Sequence, residues 1–277
     1  MMQMKEPDSS TDWVETWRLT YNQYLSTPHL VPEEPEETIR LSMADPRLWV
    51  TQAKYLMERV APPSGSSVLL VGDRSMLPYL ISRKGNRVTE VTKSEAMIDS
   101  LTKCAVKHSM ESRISVIAGG WEHLDTGCTE KYPLLVAPYS LFTPDLEAVV
   151  RAVNTCCSGR VVLFWHGTPP PIAVAMKELW PKVLGCEFND IPHADCLYRG
   201  LRQLGVPASI VCKEYPDGRL YPTLGHAVMD LGARMGGVDE QQDGIIRQYL
   251  RNHLNMEHNG LRYRGKSMHA EITWTVG

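Results

Sequence analysis

The residues able to do chemistry in this chain gather where short apolar runs stop. Val68-Leu69-Leu70-Val71 gives way to Gly72-Asp73, the run Arg87 to Thr92 closes on Thr92, and Arg113 to Ala118 leads into Gly119-Gly120-Trp121-Glu122. Tyr132 to Pro138 ends at Tyr139, and Arg160 to Trp165 ends at His166-Gly167. In an open parallel sheet a ligand sits outside the carboxyl ends of the strands, so these ends form the candidate site. Gly72 lies in a strand-to-helix turn of the kind that lets a nucleotide approach the backbone. Trp121 offers a ring face for stacking, with the Glu122 carboxylate beside it. Tyr139 and His166 are placed to face a substrate, and either can accept a proton.

A second chemical candidate is Cys186, His193 and Cys196, within CEFNDIPHADC. Neither a CxxC pair nor a fourth ligand accompanies them, so no metal site is expected. The seven cysteines are odd in number and scattered, which predicts reduced thiols rather than a disulfide framework.

The elements that must position these residues follow from periodicity. Continuous apolar runs read as strands covered on both faces. They alternate with helices at a spacing that predicts an α/β fold: a Rossmann-like, doubly wound, mostly parallel sheet. Helices are expected over 95–107, 145–157, 172–184, 194–204, 224–235 and 238–253, with a strand at 209–214. Residues 119–124 read as a turn, and 261–264 with 269–276 read as a closing strand pair around Gly265-Lys266-Ser267. Before the first strand, residues 1–60 form a helical N-terminal cap. Asp12 can cap a helix to Leu25 that carries Trp13, Trp17, Tyr21 and Tyr24 along one face. That stripe reads as packing onto the sheet. VPEEPEE charges the start of a second helix, where carboxylates suit the dipole. Residues 61–277 are the main domain.

A net charge of −3 gives no reason to expect nucleic acid or an anionic membrane surface. No apolar run approaches the ~20 residues of a membrane span. With no apolar stretch near the N-terminus of the kind a secretory signal needs, the expected location is cytoplasmic.

Over roughly residues 68–277 the order and spacing of these phrases resemble the class I S-adenosylmethionine-dependent methyltransferases. VLLVGDRSMLPYLISRKGNRVTEVTKSEAMI is similar to that family's first strand, glycine loop, helix and second strand. IAGGWEHL looks like the turn after its third strand, and YPLLVAPYSLFTPDLEAVVRAVN like its fourth strand and helix. GRVVLFWHG looks like the fifth strand, and ITWTV like a final strand inserted antiparallel. The resemblance implies S-adenosylmethionine as cofactor, with S-adenosylhomocysteine as product. It puts Gly72, Asp73, Thr92, Trp121, Glu122, Pro138 and Tyr139 on the cofactor, with His166 or Tyr139 as base. The acceptor would be a small molecule or a protein side chain, roofed by the N-terminal helices and residues 172–205, and a protein partner or homodimer is compatible.

This chain departs from the family's acid-x-Gly-x-Gly-x-Gly loop. Leu70 stands at the acidic position, Gly72 keeps the first glycine, and Arg74 and Met76 replace the others. The acid that holds the ribose hydroxyls aligns with Thr92, while Glu90 lies two residues earlier on the same strand face. Such an acid makes a charge-assisted bond of ~1.5–3 kcal/mol. These departures keep a second reading open: a methyltransferase fold that binds a ligand or partner without catalysing transfer. A dinucleotide dehydrogenase is disfavoured because GxGxxG is absent.

Overall fold

A computed structural model describes residues 10–277 apart from positions 33, 45, 73–75 and 129, and leaves aside the side chains of 41–51, 125–127, 216 and 217. Asp73 and Arg74 therefore lie outside the described residues. The strands are β1 (Ser67–Val71), β2 (Arg87–Thr92), β3 (Ile114–Ala118), β4 (Tyr132–Pro138), β5 (Cys157–His166), β6 (Ser209–Tyr221), β7 (Leu254–Glu257) and β8 (Gly260–Thr275). The helices are α1 (Trp13–Leu25), α2 (Glu36–Ala44), α3 (Pro46–Val60), α4 (Leu77–Arg83), α5 (Glu95–Lys107) and α6 (Trp121–Gly127). They continue as α7 (Leu146–Cys156), α8 (Pro171–Leu184), α9 (Ala194–Gln203), α10 (Leu224–Arg234) and α11 (Glu240–His253).

The sheet order is β3-β2-β1-β4-β5-β8-β6, with β7 paired to β8. Strands β1 to β5 pair in parallel, and β8 runs antiparallel between β5 and β6. The chain order reverses between β1 and β4, which opens a crevice at their carboxyl ends. Alternation along each strand divides the core. Leu69, Val71, Leu135, Ala137 and Leu163 face α1, α7 and α9, whereas Val68, Leu70, Leu134, Val136 and Phe164 face α3 and α4. The α1 aromatics belong to these cores: Trp17 and Tyr21 join the first, and Tyr24 joins a third formed by α8, α10 and α11. No described helix is long and apolar enough to cross a membrane.

Two sequence expectations are corrected. Residues 121–127 form α6 rather than a turn, and the closing strand pair is one strand, β8. Gly265-Lys266-Ser267 lies inside β8, opposite Tyr215, Pro216 and Asp217 of a β6 that extends to Tyr221. Gly265 serves close packing there, because a Cβ would come within 2.3 Å of Pro171 Cγ.

The segment before α2 is tied to the opposite end of the sheet by buried charge. Glu34 Oε1 accepts from Arg234 at 2.9 Å and also pairs with Arg219. Asp230, 1% exposed, pairs with Arg234 at 3.0 Å and Arg219 at 3.4 Å. It also accepts from Thr38 at 3.1 Å and Tyr221 at 2.8 Å. Val31 N–H donates to the Arg234 carbonyl, completing the clasp. Burial raises the Asp230 carboxyl, but the two guanidiniums outweigh it and hold the group below the usual 3.8.

Removing one partner of such a set strands buried charge, so Asp230→Asn should cost about 3–5 kcal/mol in denaturant unfolding. Because the Asp230 pKa is depressed, its contribution is present above the ordinary carboxylate value and is lost as pH falls below it. The gap between wild type and variant should therefore narrow on acidification. A gap that stays constant from neutral to strongly acid pH would show that Asp230 is not the charged member of the clasp.

Candidate functional site

A cleft that encloses about 70 Å³ and opens to solvent lies over the ends of β1, β2 and β3 and the residues that follow β4. Its inner wall is Val71, Gly72, Val91 and Thr92, one side is the turn Gly119 to Glu122, and Ser140 and Phe142 complete the floor. Glu34, Glu36 and Ile39, before and within α2, form an outer wall.

Gly72 adopts φ +71°, and a Cβ there would sit 2.6 Å from Ser140 Cβ. Its N–H donates to the Val91 carbonyl at 2.7 Å, and the Ser140 hydroxyl donates to the Val71 carbonyl. The ends of β1, β2 and β4 are thus locked together under the cleft. Met76 keeps a left-handed backbone, φ +56°, while its buried side chain packs against Met97 and Leu101. It is not among the residues that line the cleft.

Trp121 opens α6 and donates its indole N–H to the Ser140 carbonyl at 3.1 Å, leaving 6% of the residue exposed. Beside it, Glu122 pairs with Lys93 at 2.8 Å. Partial burial raises the Glu122 carboxyl, and the Lys93 ammonium outweighs that, so the group lies below the usual carboxylate range. Thr92 Oγ1 accepts from Ser94 N–H at 3.2 Å, and Ser94 caps α5 by accepting from Met97 N–H at 3.1 Å. Glu36 Oε2 reaches the same point, accepting from Ser94 Oγ at 3.2 Å and Ala96 N–H at 2.8 Å. Glu90 is fully buried and does not line the cleft.

Four of the sequence-derived candidates therefore meet in one cleft: Gly72, Thr92, Trp121 and Glu122. Pro138, Tyr139 and His166 do not line it. Tyr139 packs on the α3–α4 face in a left-handed backbone, φ +52°, with its ring stacked on His166 at 4.8 Å. Its hydroxyl bonds His269 Nδ1, whose Nε2 lies 2.9 Å from Ser267 Oγ. Tyr55 and Tyr215, with ring centroids 4.5 Å apart and tilted by 43°, pack beside this group. Sequence reasoning missed His269 and Glu36. His269 faces His166 directly across the β5–β8 pair, a register invisible until the strands are paired. Of the metal candidates, His193 lies 3.6 Å from Asp190, and burial pushes the Cys196 thiol up to about 12. Among the described residues no three or more His, Cys, Asp or Glu side chains gather to hold a metal ion.

No family model matches the chain. One curated protein is similar over a short stretch, the bifunctional lysine-specific demethylase and histidyl-hydroxylase NO66 of Drosophila grimshawi. It is 25% identical over 107 residues, which is 37% of this chain and only 15% of that protein. Solved structures match far more of the chain. The YcgJ protein of Bacillus subtilis superposes with TM-score 0.55 at 13% identity, over 82% of this chain and 98% of that one. Coclaurine N-methyltransferase bound to N-methylheliamine and S-adenosylhomocysteine gives 0.52 at 14%, over 96% and 89%. The cyclase SpnF gives 0.50 at 13%, over 80% of each chain. At such identities the fold is what is shared. The chain has the Rossmann-like fold of the class I S-adenosylmethionine-dependent methyltransferases.

Gly72→Ala places a Cβ both in a left-handed backbone and against Ser140, so it should lower stability by about 1–3 kcal/mol in a melting or denaturant experiment. A variant as stable as the wild type would show that the turn does not need its left-handed residue.

Proposed function

We propose that the protein is an S-adenosylmethionine-dependent methyltransferase whose cofactor occupies the cleft over β1, β2 and β3. The observation that carries this reading is the cleft itself. It stands at the switch point of the sheet, floored by the left-handed Gly72 and walled by the Trp121 ring. The residues present fit an adenosyl group. Gly72 keeps the floor free of a side chain, and Trp121, Glu122 and Thr92 line the cleft beside it; the first two are assigned to the base and Thr92 to the ribose. Asp73 is proposed to complete the binding set, whereas Pro138 and Tyr139 stand outside the cleft.

When bound, the cofactor supplies an electrophilic methyl carbon on a sulfonium. The chain's own part is to align the acceptor in line with that carbon, to exclude water, and to remove a proton where the acceptor has one. Tyr139 and His166 are the proposed proton acceptors, with the Tyr139 hydroxyl steered by His269 and Ser267. The acceptor is proposed to be a small molecule or a protein side chain, with the helical cap of residues 1–60 closing over the main domain, alone or with a partner subunit. The same reading puts the enzyme in the cytoplasm, in keeping with seven cysteines that are all free thiols.

The departures at the loop and at Thr92 favour a second reading, a protein that binds the cofactor without transferring its methyl group. Calorimetry and thermal melts separate the cases. Both S-adenosylmethionine and S-adenosylhomocysteine should bind, and either at 100 times its Kd should add about 2.7 kcal/mol of stability. No heat and no shift with either compound would overturn the cofactor reading. Release of S-adenosylhomocysteine in the presence of amine, phenol or carboxylate acceptors would distinguish transfer from binding alone.

A further inference from the structure

Thr92 brings no carboxylate to the end of β2, yet a carboxylate stands beside it. Glu36 lines the same cleft as Thr92 and Lys93, and it is hydrogen-bonded to Ser94 and Ala96, the start of the helix that follows Thr92. We infer that Glu36 receives the ribose hydroxyls of the cofactor, so that the N-terminal cap, rather than the sheet, supplies the acid of the nucleoside site. This rests on the reading of the cleft as an S-adenosylmethionine site.

Charge selects Glu36 from the acids of the cleft. Glu34 is neutralised by Arg219 and Arg234, and Glu122 by Lys93. Glu36 makes no ion pair among the described residues, and its side chain is exposed at the cleft wall. Two vicinal hydroxyls are donors that a carboxylate accepts together, and a charged acceptor makes each bond stronger than a neutral one would.

Geometry supports the same assignment. The segment that carries Glu36 is held on one side by the Glu34 and Thr38 contacts to Arg219, Asp230 and Arg234, and on the other by the Ala96 amide. A carboxylate fixed from both sides loses little freedom when a ligand arrives. The competing assignment is a phosphorylated ribose recognised by Lys93. It is disfavoured because Lys93 is spent on Glu122, and because Glu36 would repel a phosphate.

Titration calorimetry with S-adenosylhomocysteine and its 2′-deoxy analogue tests the assignment on three proteins: wild type, Glu36→Gln, and Glu36→Gln combined with Thr92→Asp. The glutamine oxygen still accepts from the Ala96 amide, so the start of α5 is kept, and circular dichroism melts verify this. Glu36→Gln should weaken S-adenosylhomocysteine roughly ten- to a hundredfold. Its effect on the deoxy analogue should be much smaller. Thr92→Asp should restore much of the loss, because an aspartate there can accept from Ser94 N–H as Thr92 does. Unchanged affinity in Glu36→Gln, or an equal loss for both ligands, overturns the inference and leaves the cofactor reading standing. A wild type that binds neither ligand overturns both. Tighter binding of adenosine 2′-monophosphate than of adenosine overturns the inference in favour of a phosphorylated ribose.

Discussion

Two carboxylates and two guanidiniums, one of them (Asp230) fully buried and the others half-buried, hold the outer wall of the cleft in place. Each charge alone would be costly to bury; together Glu34, Asp230, Arg219 and Arg234 satisfy one another, with Thr38 and Tyr221 filling the remaining positions on Asp230. An apolar contact of equal strength would not define direction in the same way. Both arginines meet both acids, so residues 31–38 can dock in few registers. The sheet supplies the inner wall by itself. The outer wall, with Glu36 and Ile39, depends on a clasp made by α10 and the far end of β6.

Between β1 and α4 two described residues, Gly72 and Met76, carry left-handed backbones. The Met76 side chain leaves the cleft for a core with Met97 and Leu101. The bulk of Met76 is accommodated because α5 receives its side chain in that core. Tyr139 shows the same economy at the end of β4. Its left-handed backbone costs on the order of 1–3 kcal/mol, offset by stacking on His166 and the hydroxyl bond to His269.

The architecture was largely legible in the sequence because its signals are local. Buried parallel strands are uninterrupted apolar runs, and helix starts carry side-chain caps: Asp12, Ser94, Asp145 and Asp239 each accept from a backbone amide as the sequence allows. Apart from the short helix α6, which reads locally as a turn, what was misread or missed depends on distant partners. The alternation around Gly265 fits a tight hairpin or one long strand equally well, and the choice is made by β6, more than forty residues away in the chain. VPEEPEE reads locally as charge favouring a helix start. Only folding sets Glu36 against Ser94, separated from it by 58 positions.

Fold alone does not carry activity: coclaurine N-methyltransferase and the cyclase SpnF share this architecture with the chain at similar distance. The discriminating features are therefore in the arrangement at the end of β4. There Ser140 faces the cleft, bonded to Val71 and receiving the Trp121 indole, while the preceding residue, Tyr139, turns to the opposite face and joins His166 and His269. A reaction that needs only alignment and water exclusion can be served by the cleft and its clasped wall. A reaction that must also lose a proton needs an acceptor molecule that reaches past β4 toward Tyr139. One residue step in the strand separates these two requirements, and it is where binding and chemistry would have to meet.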